Sequence, residues 1–318
     1  MVISRPGMRV DFKRIMFLTD FSEPSCEALP FAMAIARGYG SRICAVHILV
    51  PSPYDYMSPE AAVNLLDSQE EWAKSEMARV EAQLTGLPRE VVIERDGNLW
   101  DGVARVAQEH SIDLIVLGTH GRTGLKKVLL GSSAEEVFRR AHVPVLLSGP
   151  NVRVGAHTAG RFRCVLFATD FNSASKLAAP YAVSLAQENQ AKLILLHVLP
   201  QPKPGKAPKP GELSVAEAMH QLTELIPQNN DLWCRPLPLI AHGHAAEQIL
   251  ATAEEQGADL IALGVRATGA LGRTATRVQR DIAYEVLAHS TCPVLTVRDD
   301  APAEFSLPLG EKETMHDH

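Results

Sequence analysis

Short, nearly unbroken apolar runs alternate along this chain with longer stretches in which apolar residues recur every third or fourth position. In the first half the runs predict strands near residues 14–19, 42–49, 89–95, 113–118 and 143–148. Helical spacing between them predicts helices near 24–38, 59–85, 99–110 and 132–141. Pro24 near the first helix start, with Gly38 and Gly40 placed beyond its end, follows the usual proline-first, glycine-last asymmetry. LIVLG over 114–118 and VPVLLS over 143–148 are continuously apolar runs, as strands covered by helices on two sides must be. Alternating strands and helices with buried strands imply a parallel, doubly wound α/β sheet. The long helix contains LLDSQEEWAKSEMARVEAQL, whose apolar stripe is expected on the sheet and whose charges belong in solvent.

The pattern then occurs a second time. RIMFLTDFSEPS is answered by CVLFATDFNSAS, so that Asp20 and Asp170 stand 150 residues apart, as do His47 and His197. IDLIVLG and ADLIALG follow at an offset of 146, and Pro144 and Pro293 at 149. Four ordered matches at nearly constant spacing mark a duplication, with small length changes of the kind surface loops absorb. Two domains are expected, 1–149 and 160–300, with a tail over 301–318. A polar linker runs near 149–160, and a proline-lysine loop near 201–211.

Composition narrows the function classes. The 318 residues carry a net charge of −6 and no long basic run, so broad electrostatic binding to nucleic acid is not expected. The apolar runs are too short to span a bilayer. The first residues lack a signal peptide's apolar core, and the five scattered cysteines form no CxxC pair. A cytoplasmic protein with reduced thiols is the expectation, without membrane partners.

The most specific chemistry lies over residues 118–133, GTHGRTGLKKVLLGSS, with the spacing G-x2-G-x9-G-S. It opens after a strand and closes before a helix. Glycines let a ligand approach the main chain, and a helix start offers unpaired N–H groups and a positive dipole end to an anion. Ser132 and Ser133 can cap the helix or donate to phosphate, and Arg122, Lys126 and Lys127 add positive charge. No GK[ST] follows, so this is not a Walker A loop, and it is not a GxGxxG turn. The alternative is that the glycines only turn the chain and Ser132 only caps a helix.

TDFS after the first strand, His-Ile or His-Val ending the second, and this glycine frame followed by VPVL resemble the universal stress protein family, twice over. The first half resembles the family's ATP-binding subclass. The resemblance implies two tandem domains, each a five-stranded parallel sheet of order 3-2-1-4-5, with strands 1 and 4 adjacent at the reversal point where such sheets bind ligands. It implies that Asp20 contacts ribose and that the backbone at Thr19 and Ile48 holds adenine. Gly118, His120, Gly121, Arg122, Gly131, Ser132 and Ser133 would surround ribose and phosphates, with Asp20 bonding hydroxyls or a metal ion, Mg2+ being the usual companion of the polyphosphate. It further implies that the last strands pair the two halves into an internal pseudo-dimer, that chains associate as homodimers, and that a regulatory protein of unknown identity reads the state.

The second half departs from this pattern while keeping Asp170, Val198 and Gly264 as weaker candidates. Its loop is three residues longer, Ala267 replaces the second glycine, and Arg280 and Asp281 stand where Gly131 and Ser132 are expected. An aspartate at that helix start repels anions, so one nucleotide per chain is expected, unless Gly269, Gly272, Arg266, Arg273 and Arg277 rebuild a cradle. His242 and His244 flank a glycine but lack a third ligand at a recognisable spacing, and no metal site or catalytic residue is assigned. An ATP-binding regulator is the favoured function. A slow ATPase or phosphotransferase, and a scaffold or carrier acting through the second half, are the alternatives.

Overall fold

The computed structural model describes residues 10–51, 59–119, 131–152, 161–202, 212–225, 236–266 and 282–299. The first half contributes β1 (Arg14–Leu18), α1 (Glu23–Cys26), α2 (Leu29–Tyr39), β2 (Arg42–Leu49) and α3 (Pro59–Gln83). It continues with β3 (Arg89–Arg95), α4 (Leu99–Glu109), β4 (Leu114–Gly118), α5 (Ser132–Arg140) and β5 (Val145–Ser148). The second half contributes β6 (Cys164–Ala168), α6 (Ser173–Asn189), β7 (Lys192–Leu199), α7 (Val215–Glu224) and β8 (Leu237–His242). α8 (Ala245–Gln256), β9 (Leu260–Val265), α9 (Ile282–His289) and β10 (Val294–Arg298) complete it.

Each half is a parallel sheet of order 3-2-1-4-5, but the two do not stay separate. They join into one ten-stranded sheet, β3-β2-β1-β4-β5-β10-β9-β6-β7-β8, through an antiparallel β5–β10 seam. Leu147 faces Val294, Leu146 faces Leu295, and Val145 faces Thr296, whose hydroxyl also donates to the Val145 carbonyl. An edge strand exposes a ladder of unpaired groups, and here each half supplies the other's missing neighbour. The apolar core on each face of the sheet runs across the seam. On one face Phe12 packs on both Tyr39 and Tyr181, and Ser184 donates to the Val10 carbonyl. Pro238 lies in β8, an outer strand, the part of a sheet where proline is tolerated.

The first helix differs from the expected 24–38 span. It is two pieces, α1 and α2, and Gly38 lies inside α2 while Gly40 caps it in the left-handed region at φ 69°. Pro30 has no N–H for the Cys26 carbonyl and its ring crowds that oxygen, which favours the break. Its counterpart Pro180 is nevertheless tolerated inside the continuous α6. The stripe on α3 is as expected, with Ala73, Met77 and Val80 buried, and Leu84 just past the helix end is buried with them.

The duplication also exposes two uncompensated backbone positions. Gly40 corresponds to Gln190 (φ 55°), and Gly257 to Ser111 (φ 47°). A side chain in this region costs about 1–2 kcal/mol, so Gln190→Gly and Ser111→Gly are each expected to stabilise the protein by about 1 kcal/mol in urea unfolding.

Candidate functional site

β1 lies between β2 and β4, with Leu18 opposite Val46 and Leu117. The connections leave β1 towards opposite sides, which opens a crevice at the strands' carboxyl ends. Thr19 forms its inner wall and is 3% exposed. Its N–H donates to the Val46 carbonyl, its own carbonyl accepts from His47 Nδ1 at 2.8 Å, and its hydroxyl oxygen accepts from Phe21 N and Ser25 Oγ. A carbonyl can only accept, so His47 Nδ1 carries the proton, and the histidine acts as a brace. Adenine could use only the second lone pair of the Thr19 carbonyl. The Ile48 side chain is turned into the core, against Gly102, so any contact with a base must come from its main chain.

Asp20 is half-buried, and its Oδ1 accepts from the Ser22 amide at 3.0 Å and the Ser22 hydroxyl at 2.6 Å. The turn that aims it is strained. Phe21 sits at φ 64° with its ring on His47 at 4.4 Å and edge-on to Trp72 at 5.4 Å. Phe171 repeats this at φ 62°, on His197 at 4.5 Å. Ring packing in both halves holds a conformation that a phenylalanine alone disfavours. Phe21, Ser22 and Ser25 thus belong to the site's frame. Their signal in sequence was the repeated TDF segment and the TDFS motif.

Gly118 answers a demand of packing. A Cβ there would overlap the Pro24 carbonyl oxygen and stand 2.8 Å from Ser25 Cα, because α1 starts directly against the end of β4. Gly264 does the same in the second half, where a Cβ would overlap the Ser175 nitrogen and lie 2.5 Å from the Ala174 oxygen.

The far side of the crevice is the start of α5. Thr119, 1% exposed, donates its N–H to the Ser148 carbonyl and accepts the Gly131 N–H at 2.7 Å. This bond ties the helix start to the end of β4. It also removes Gly131 from the amides expected to face an anion. Gly131 has φ −59° and ψ 147°, which any residue adopts, and as the N-cap residue it has no side chain with which to cap the helix. Ser132 and Ser133 are exposed at the first two helical positions, where an α-helix provides no partner for its own N–H groups. His120, Gly121 and Arg122, with Lys126 and Lys127, lie outside the described residues.

The second crevice is arranged differently. Asp170 accepts from the Asn172 amide and side chain and from Ser175 Oγ, and Arg266 reaches its Oδ2 at 3.4 Å. Arg266, expected as a possible phosphate ligand, therefore lies on the aspartate across the β6–β9 junction. Asp299 brings a further carboxylate to the same end, accepting from Ser173 Oγ at 2.7 Å. Val198 is half-buried beside His197, which braces Thr169 as His47 braces Thr19. Ala267, Gly269, Gly272, Arg273, Arg277, Arg280 and Asp281 lie outside the described residues. His244 lies 3.8 Å from Glu285, and among the described residues neither it nor His242 joins a group of three metal ligands.

These features define a doubly wound α/β protein with two crevices of one ancestry and unequal chemistry. The chain belongs to the universal stress protein family, whose sequence model matches it twice, over residues 11–148 and 161–298. A universal stress protein of Methanocaldococcus jannaschii is 32% identical over 141 residues, 43% of this chain and 81% of its own length. One from Thermus aquaticus is 34% identical over 137 residues, 43% of this chain and 98% of its own length. A crystal structure of a universal stress protein from Archaeoglobus fulgidus covers 92% of this chain and 98% of its own, with a TM-score of 0.69 and 21% identity, a likeness of fold. No described helix is long and apolar enough to cross a membrane.

Proposed function

We propose that the first half binds an adenine nucleotide, ATP with Mg2+, and that the chain acts in the stress response as a regulator read through nucleotide occupancy. The observation that carries this is the Gly131–Thr119 bond, which holds the start of α5, with a glycine at its cap position, at the end of β4, on the strand next to the one that leads into Asp20. The amides of Ser132 and Ser133 and the helix dipole suit phosphate oxygens. Asp20 suits a ribose diol, since its carboxylate already accepts a hydroxyl and an amide from Ser22. Mg2+ in this reading is held chiefly by the phosphates, as is usual for that ion, and screens them from Asp20.

Catalysis is the weaker reading. Asp20 is engaged as an acceptor, and among the described residues none around it is arranged as a base with a second group orienting it. The second half serves as a scaffold, since Asp170 already faces Arg266 and Asp299 adds repulsion towards polyphosphate. The fifth-strand seam is used within the chain, so a homodimer or a regulatory partner must engage other surfaces.

Mass analysis of small molecules released on denaturing the freshly purified protein tests the proposal. Intact ATP is expected, either carried through purification or retained after incubation with ATP and Mg2+. Release of ADP alone with continuing turnover would replace it with the ATPase reading. Absence of any nucleotide after both treatments would overturn it.

A further inference from the structure

Three potential metal ligands meet at the end of the first half opposite the crevice. Cys44 is the third residue of β2, Glu90 the second of β3, and His110 follows the last turn of α4. Cys44 and Glu90 are register partners in a parallel pair, so their side chains share the face that α4 covers. The helix ends over them and delivers His110. A sulfur, a carboxylate oxygen and a ring nitrogen from the three lie within 4.8 Å of one another. Glu90 Oε2 and His110 Nδ1 are 3.2 Å apart. A tetrahedral zinc ion with ordinary Zn–N and Zn–O bonds keeps two such atoms about 3.3 Å apart.

The duplicated half shows what the fold itself requires at these places. Met16 pairs with Cys44 and Leu166 with Ile194, and the next partners outward are Glu90 and Leu237. Ser111 and Gly257, both at positive φ, follow His110 and Gln256. The three equivalents are therefore Ile194, Leu237 and Gln256. The same scaffold forms without any of the three donors, and Gln256 there accepts from Lys192 instead. A fold requirement does not explain a thiol, a carboxylate and an imidazole converging in one half alone.

We propose that Cys44, Glu90 and His110 form a site for one divalent ion of the zinc class, with three protein ligands and a fourth position for water. Thiolate, imidazole and carboxylate are the donors such an ion takes. Burial, reinforced by the neighbouring Glu90, pushes the Cys44 thiol up to about 12, so the ion must displace a proton as it binds. Arg14 is held on the His110 carbonyl at 2.8 Å, on the main chain and not on the ring. The site is independent of the nucleotide reading.

Cobalt(II) added to the full chain after chelator treatment tests this, since a thiolate ligand gives cobalt a charge-transfer absorption. One equivalent is expected to produce that band, and zinc to remove it. Cys44→Ala should abolish the band, while Cys164→Ala and Cys292→Ala should keep it. His110→Gln, which copies the second half and so preserves folding, should weaken cobalt binding by about 100-fold or more. No band in the unaltered chain would overturn the proposal, as would a band that survives Cys44→Ala or an affinity unmoved by His110→Gln.

Discussion

Gly264→Ala is expected to destabilise the protein by about 3 kcal/mol, the upper end of what overpacking usually costs. The added methyl would meet main-chain atoms of Ala174 and Ser175, which cannot rotate away as a side-chain tip can. Relief would require α6 to move off the end of β9, and α6 is buried along Ala174, Ala178, Ala182 and Leu185. Gly118→Ala should behave alike, because its methyl would meet Pro24 and Ser25. Chemical denaturation measures both, and a loss under about 0.5 kcal/mol would contradict the close approach. Gly118 variants that lose ligand would consequently report on the fold before they report on the site.

Ser132→Pro separates the two. Proline is well tolerated at the first helical position, and Gly131 at ψ 147° already has the extended backbone that a following proline requires. The substitution removes one N–H from the start of α5 and leaves the helix ladder intact. Stability should change little, while ATP affinity falls by about tenfold, the equivalent of one hydrogen bond to a charged group. Asp20→Ala should lower it by about tenfold to a hundredfold, since two hydroxyl contacts are lost. Asp170→Ala should leave it unchanged.

Much of this architecture was legible in sequence because it depends on patterns that repeat at short range. Apolar runs located all five strands of the first half, and the duplication carried them into the second. The offset between Asp20 and Asp170 also located equivalent turns. Features that depend on distant chain segments were not legible. Nothing local to Gly118 says that the Pro24 carbonyl presses on it, so the glycine read as a ligand cradle. The Gly131 amide read as open because its acceptor, Thr119, lies twelve residues earlier in the chain, and nothing local pairs the two. Cys44, Glu90 and His110 are separated by 46 and 20 residues and meet only through β-register and the end of α4. The break between α1 and α2 was obscured for another reason. The same proline interrupts one helix and not its duplicate, so local propensity alone did not decide it.

The two halves kept one scaffold and diverged at its carboxyl edge. A charged pair lies at the second crevice, where the first has an aspartate after β1 and a helix start tied to the end of the neighbouring β4. Calorimetric titration of the full chain with ATP and Mg2+ measures this asymmetry directly. The expected result is one molecule bound per chain, weakened by Asp20→Ala and unaffected by Asp170→Ala. Two molecules per chain, or binding indifferent to Asp20, would contradict it.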